Sequence, residues 1–414
     1  MYFNNLDFAI LGIYCFGIIA IASYVSRQGN KQRSPEDYFL AGRSLPWWAI
    51  GASLIAANIS AEQIIGMSGQ GFVVGMAIAT YELTAAIALI VMAKYFLPLF
   101  LKKQIYTMPQ FLEQRFDKRV SLVLAFFWLA VYVFINLTSV LWLGSLAINT
   151  LTGLETFYGL VLLALLSLAY SLWGGLKAVA LTDIIQVVLL IFGGLAVSFI
   201  ALQKIGDGYI GNGLITVFQA VPDKFDMILS EDNPSYSDLP GVWVLLGGLW
   251  IAHFAYWGFN QYITQRALGA KSLPEAQKGV MFAAYLKLLM PLVIVLPGIC
   301  AAVLFPVLEK SDQAYPTMMT LLPNGLLGLT FAALVAAIVS SLASMTNSIS
   351  TIFTMDVYRS FRANSSDATL VSIGRTTSVI ALIIAVFAAT PLLGSLESAF
   401  QYIQNFTGFF TPFW

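Results

Sequence analysis

Four polar side chains, Asn58, Ser60, Glu62 and Gln63, interrupt the apolar stretch SLIAANISAEQIIGMSGQG at positions 53–71. An interrupted apolar helix exposes carbonyl oxygens and half-helix ends, which serve a cation or a polar solute. A second polar set, Ser340, Ser344, Asn347 and Ser348, recurs at helical spacing on one stripe of AALVAAIVSSLASMTNSIS, with Ser341 beside it. A hard monovalent cation needs a shell of oxygens, and adjacent hydroxyls facing the carbonyls of a broken helix supply one. Ionisable groups inside apolar runs are few: Glu82, Asp183, His253 and Lys287. Such groups face a bundle interior and need partners, so Lys287 is expected to pair with Glu82 or Asp183. One histidine and two separated cysteines, Cys15 and Cys300, provide neither a metal cluster nor a nucleophilic triad nor a disulfide, and the expectation is not an enzyme.

The elements that must hold these groups are membrane spans. The 414 residues are 59% hydrophobic and 10% charged, against about 25% charged in a soluble domain. Apolar runs recur at 8–26, 47–72, 73–100, 121–149, 157–173, 178–202, 241–265, 280–304, 326–354 and 371–393. Each suits the roughly 20 residues of a transmembrane helix. They are continuously apolar, which favours helices over barrel strands. The first run lacks a basic leader and a small-residue cleavage site, so it reads as a retained span. Of the 21 Lys and Arg, 16 fall in or beside the loops after odd-numbered runs, Arg266 and Lys177 among them, and three in the opposite loops. That asymmetry predicts an extracytoplasmic N-terminus and a cytoplasmic first loop.

Set apart from the first run, the next five runs make one block, and the runs after the long acidic connection from Lys204 to Gly241 make another. The connection reads as a partly helical cap. Both blocks open on an interrupted run; the second is GVWVLLGGLWIAHFAYWGFNQYITQR, with Gly247, Gly248, His253, Gly258 and Asn260. Because five is odd, the second block crosses the membrane in the opposite sense, the pattern of an inverted-repeat secondary transporter with its site at the breaks. The expected organisation is an extra N-terminal helix and cytoplasmic loop over 1–45, a first five-helix repeat over 46–203, an extracytoplasmic loop over 204–240 and a second repeat over 241–414.

The strings EDYFLAGRSLPWWAIGASLIAANISAEQ, YWGFNQY, AAIVSSLASMTNS and AFQYIQNFTG closely resemble the sodium:solute symporter family, and within it the bacterial sodium/sugar symporters of the sodium/galactose type. The resemblance covers almost the whole chain. It implies an all-α polytopic membrane protein of LeuT-type fold, two inverted five-helix bundles plus an extra N-terminal helix, truncated in the tenth core helix where the chain ends at Trp414. It implies sodium-coupled import of a galactose- or glucose-like monosaccharide by alternating access, with Na+ as coupling ion and no organic cofactor. The implied partners are the sugar, sodium and the lipid bilayer of the inner (plasma) membrane, with no nucleic acid. Carried over by position, sodium meets the carbonyls of Ala56, Ile59 and Ala337 and the hydroxyls of Ser340 and Ser341, with Asp183 on its exit path. Sugar hydroxyls meet Gln63, Glu82, Lys287 and Gln404, with Asn58 and Ser60 near the break. Tyr256 stacks on the ring as inner gate, and Met67, Tyr81 and Phe400 cover it from outside. His253 stands where the galactose-type relatives have asparagine facing the sugar. The residues themselves also suit a proline-like sodium/amino-acid symporter, since Glu82 and Lys287 match the two charges of a zwitterion.

Overall fold

The computed structural model describes residues 3–27, 34–237, 239, 241–396 and 398–410, with the side chains of 18, 19, 22–27, 170–175, 177, 178, 405 and 408–410 left aside. Lys31 and Arg33 of the basic first loop and the chain end at Trp414 lie outside the described residues, as do the side chains of Arg27 and Lys177. The described chain is helical nearly throughout, and a single bridge pairs Leu45 with Ala270.

The apolar runs become helices at the expected places. We number them α1 (Asn5–Arg27), the bent pair α2 (Trp47–Asn58) and α3 (Glu62–Val73), α4 (Met76–Lys103), α5 (Lys118–Thr152) and α6 (Thr156–Ile205). After them come α7 (Ile210–Ala220), α8 (Gly241–Phe259), α9 (Gln261–Leu268), the bent pair α10 (Leu273–Lys287) and α11 (Pro291–Leu304), α12 (Leu326–Phe361), α13 (Asp367–Leu393) and α14 (Ala399–Phe410). By length and composition six of these cross a membrane alone, and eight do if each bent pair is one span. The protein is therefore a multi-pass membrane protein.

Two runs expected as separate spans, 157–173 and 178–202, share the one helical stretch α6. Leu163 and Ile338 both abut Gly144, while Asp183 accepts a hydrogen bond from Ser340 and Gly193 abuts Thr330. The stretch thus reaches the depth of Ile338–Ser340 twice, 20 residues apart, where a straight helix would have advanced about 30 Å. It therefore does not run straight, and by length and composition its Val179–Ile205 part is the span.

Breaks sit where polar residues stop the helix. Between α2 and α3 the axis bends by 58°, and Ile59 leaves helical geometry at φ −79°, ψ 75°. The backbone N–H of Glu62 turns to the Ser60 hydroxyl at 3.2 Å, so the new half-helix starts with a side-chain partner. In the second block the break falls at Asn260, extended at ψ 121° between α8 and α9, rather than at Gly247 or Gly248, which stay helical. A 41° bend before Pro291 separates α10 from α11, as expected of a residue that removes a helical hydrogen bond.

Close helix crossings lock these halves together. A Cβ on Gly298 of α11 would lie 2.0 Å from the Ser68 carbonyl of α3. Outside the membrane, Gly75 (φ +94°) turns the chain from α3 to α4. There Lys224 Nζ donates to the Phe72 and Val73 carbonyls at 2.6 and 2.9 Å, so the 204–240 connection, which contains α7, caps α3. Asp7 of α1 accepts the N–H groups of Gly325 and Gly328, both at 2.8 Å, and caps α12.

Candidate functional site: a cavity at the helix breaks

The break in α2–α3 faces the serine stripe of α12. Ser341 Oγ donates toward the carbonyls of Ala56 at 3.4 Å and Ala57 at 3.3 Å, so a hydroxyl of the stripe meets carbonyls at the break. Ser340 turns its hydroxyl to Asp183 Oδ1. Asp183 Oδ2 accepts from Ser53, and the Arg266 guanidinium stands 3.7 Å away. Asp183, Ser340 and Arg266 are all buried. Arg266 Nε also donates to the Ser53 carbonyl and hydroxyl at 2.8 and 2.7 Å, Nη1 donates to the Tyr262 carbonyl at 2.5 Å, and Nη2 donates to Ser344. Ser348 donates to Gln265 Oε1 at 2.8 Å, so the lower part of the stripe packs on α9.

Arg266 corrects the sequence reading. Placed there among cytoplasmic loop cations, it is 1% exposed and answers Asp183. Its position at the end of an interrupted apolar run, five residues past Gln261, suits loop and core alike. The open choice for Lys287 closes the same way. Its ammonium donates to Glu82 Oε2 at 2.6 Å and sits 5.3 Å from the Trp257 ring centroid, both partners of the ion pair being buried.

That ion pair borders a cavity above the break. Of the sequence-predicted residues, Asn58, Gln63, Glu82, His253, Tyr256, Lys287, Gln404, Met67 and Tyr81 line it. Ser60 and Phe400 do not: Ser60 caps α3, and Phe400 packs against Gly66, where a Cβ would lie 2.6 Å from its own. Asn260, one of the residues that interrupt the second run, lines it too, and sequence reasoning missed Trp128, Asn136 and Trp257, because nothing in a single apolar run tells which aromatic or amide faces inward.

The polar atoms divide into those that are held and those left open. Tyr256 OH accepts from Asn58 Nδ2 at 2.9 Å and shares a hydrogen bond with Tyr262 OH at 2.7 Å. Thr84 Oγ1 donates to the Thr80 carbonyl at 2.5 Å, so its single proton is committed. The 2.7 Å contact with His253 Nε2 must then be a donation from the imidazole. Neutral His253 therefore carries its proton on Nε2 and keeps Nδ1 as an acceptor. By contrast, Asn58 Oδ1, Glu62 Oε1 and Gln63 Oε1 are buried with no hydrogen-bond partner among the described residues, and all three residues line the cavity.

Comparison with known proteins gives the family and the fold. A family model described as the sodium:solute symporter family matches residues 38–414. A sodium/glucose cotransporter of Vibrio parahaemolyticus is 52% identical, covering 98% of this chain and 78% of that one. An uncharacterized symporter of Escherichia coli strain K12 is 35% identical, over 95% of this chain and 70% of that one. Among solved structures, the substrate-bound outward-open state of a Na+-coupled sialic acid symporter aligns with a TM-score of 0.85 at 23% identity, covering 99% of this chain and 85% of that one. That likeness shows the fold, the LeuT-type architecture expected from the sequence.

Proposed function

This chain belongs to the sodium:solute symporter family, and from that premise we propose that it imports a monosaccharide, galactose- or glucose-like, with sodium by alternating access. The observation that carries the sugar reading is the Glu82–Lys287 pair. Lys287 is the one Lys or Arg among the described lining residues, and at 2.6 Å its charge is already answered. A zwitterionic amino acid would find no free cation for its carboxylate. A neutral polyol, offering many hydroxyl donors and acceptors, suits the open oxygens of Asn58 and Gln63, the acceptor on His253 and the amide of Gln404.

In this reading sodium is bound by the carbonyls of Ala56, Ile59 and Ala337 with the hydroxyls of Ser340 and Ser341. Binding draws Ser340 away from Asp183, which then guides the ion toward the cytoplasm. Tyr256 forms the inner gate beneath the sugar, and Met67, Tyr81 and Phe400 the outer one. The repeats run over 46–203 and 241–414, the N-terminus is extracytoplasmic, and the host is the inner (plasma) membrane, in keeping with the lysine and arginine asymmetry. The test is competition for sodium-dependent uptake in proteoliposomes with a panel of sugars and amino acids. Inhibition by hexoses alone supports the reading, and inhibition by proline or another amino acid alone replaces it with the zwitterion alternative.

A further inference from the structure

The cavity is also held from outside the membrane, by a connection that the transport reading leaves without a role. Between α11 and α12, residues 305–325 cross the outer ends of α3 and α14. Lys310 Nζ donates to the carbonyls of Gly394 and Leu396, both at 3.0 Å. Two residues on, Asp312 is 2% exposed. Its Oδ2 accepts the Ala399 N–H at 2.8 Å, and its Oδ1 accepts the Ser398 hydroxyl at 3.2 Å. Ser398 Oγ in turn accepts from Gln70 Nε2 of α3 and from the Gln401 N–H of α14, both at 3.3 Å. Beside Gln70, a Cβ on Gly69 would stand 2.8 Å from the Ser311 carbonyl, so connection and helix touch backbone to backbone. One carboxyl group thus joins three elements. Two of them carry cavity residues, Gln63 and Met67 on α3 and Gln404 on α14.

We propose that Asp312 is a positioning residue: as a carboxylate it ties the outer end of α14 to α3, and its protonation loosens that tie, so that the proton concentration on that face tunes substrate affinity. Asp312 lies outside the membrane-spanning segments. Burial pushes its carboxyl up to about 7, against the pull of the Ala399 N–H, the Ser398 hydroxyl and Lys310. Above that pH both oxygens accept. Below it one oxygen carries a proton and the charge is lost, so the bonds from Ala399 and Ser398 weaken to those of a neutral acid. The elements packed around it bring Lys310 and Glu309 on its own connection, Tyr315 on the short helix Ala314–Met319, Glu62 on α3 and Tyr402 on α14. Of these, Lys310 is the charge that acts on the carboxyl. The segment of α5 that touches the connection, Thr138–Thr152, contains no titratable side chain.

The inference rests on the transport reading for one of its two readouts, and the other is independent of it. In the full chain reconstituted in proteoliposomes, the apparent KM for the transported sugar should rise several-fold between pH 8 and pH 6, with a midpoint near 7. Asp312→Asn should hold the acid-side KM across that range with a flat profile. Ser398→Ala, which keeps the carboxylate and removes one of its donors, should move the midpoint to higher pH. Hydrogen exchange supplies the second readout: after correction for intrinsic rates, amide protection over residues 398–404 should fall through the same interval in the wild type and not in Asp312→Asn. Protection that is constant with pH in the wild type, or an Asp312→Asn profile that tracks it, overturns the proposal. If no sugar is taken up, the transport reading fails while the exchange measurement still decides the role of Asp312. If Asp312→Asn does not fold, the wild-type and Ser398→Ala profiles decide it.

Discussion

At the residue scale the cavity works through fixed proton positions. Thr84 spends its hydroxyl proton on Thr80, and this determines that His253 donates from Nε2 and accepts at Nδ1. Thr84→Val keeps the shape and removes the acceptor, freeing the imidazole to turn or change tautomer. We expect sugar affinity to weaken about fivefold, the worth of one hydrogen bond of about 1 kcal/mol, with sodium affinity unchanged; competition binding measures both. An unaltered sugar affinity would mean that His253 packs without meeting substrate. Tyr256 gives a graded test. Its hydroxyl bonds Asn58 and Tyr262, so Tyr256→Phe should cost about 1–3 kcal/mol by leaving those partners short. Tyr256→Ala should lose the platform as well and bind far less. Equal losses in the two variants would assign the residue's role to the hydroxyl alone.

At the element scale the helix halves depend on close backbone approach and on buried pairs that bridge them. Gly298 on α11 meets the Ser68 carbonyl of α3, where a Cβ would sit at 2.0 Å. Gly298→Ala must push the two halves apart, and we expect about 1–3 kcal/mol of destabilisation, read as a lower melting temperature in detergent. The Glu82–Lys287 pair joins α4 to α10. Lys287→Met leaves a buried carboxylate unanswered and should cost about 3–5 kcal/mol in the same assay, with a smaller loss when Glu82→Gln is added. These crossings mark what the sequence disclosed and what it hid. Asn58, Ser60 and Glu62 announced a break because polar groups at membrane depth need a cavity, and the serine stripe of α12 followed from its spacing alone. Arg266 was hidden because a cation at the end of an apolar run reads equally as loop or core until its partner Asp183, more than 80 residues away, is seen. Which charge answers Lys287 is likewise a long-range fact, and no spacing within one span contains it.

At the scale of the whole molecule, coupling requires that ion and sugar sites share moving parts. The proposed sites meet at the α2–α3 break: Ala56 and Ala57 face Ser341 on one side, while Asn58 and Gln63 face the cavity on the other. A sodium ion moving inward down about 100 mV releases about 2.3 kcal/mol, and a tenfold gradient adds about 1.4. One ion per sugar then sustains roughly 500-fold accumulation. Because the hydroxyl of Ser341 contacts the break directly, Ser341→Ala should raise the sodium concentration needed for half-maximal uptake before it changes the ranking of sugars. The most direct measurement is uptake of labelled hexose into proteoliposomes under an inward sodium gradient with a negative interior, repeated with choline in place of sodium at constant pH. Concentrative uptake with sodium and its collapse with choline is the expected result; equal uptake with either cation would contradict sodium coupling.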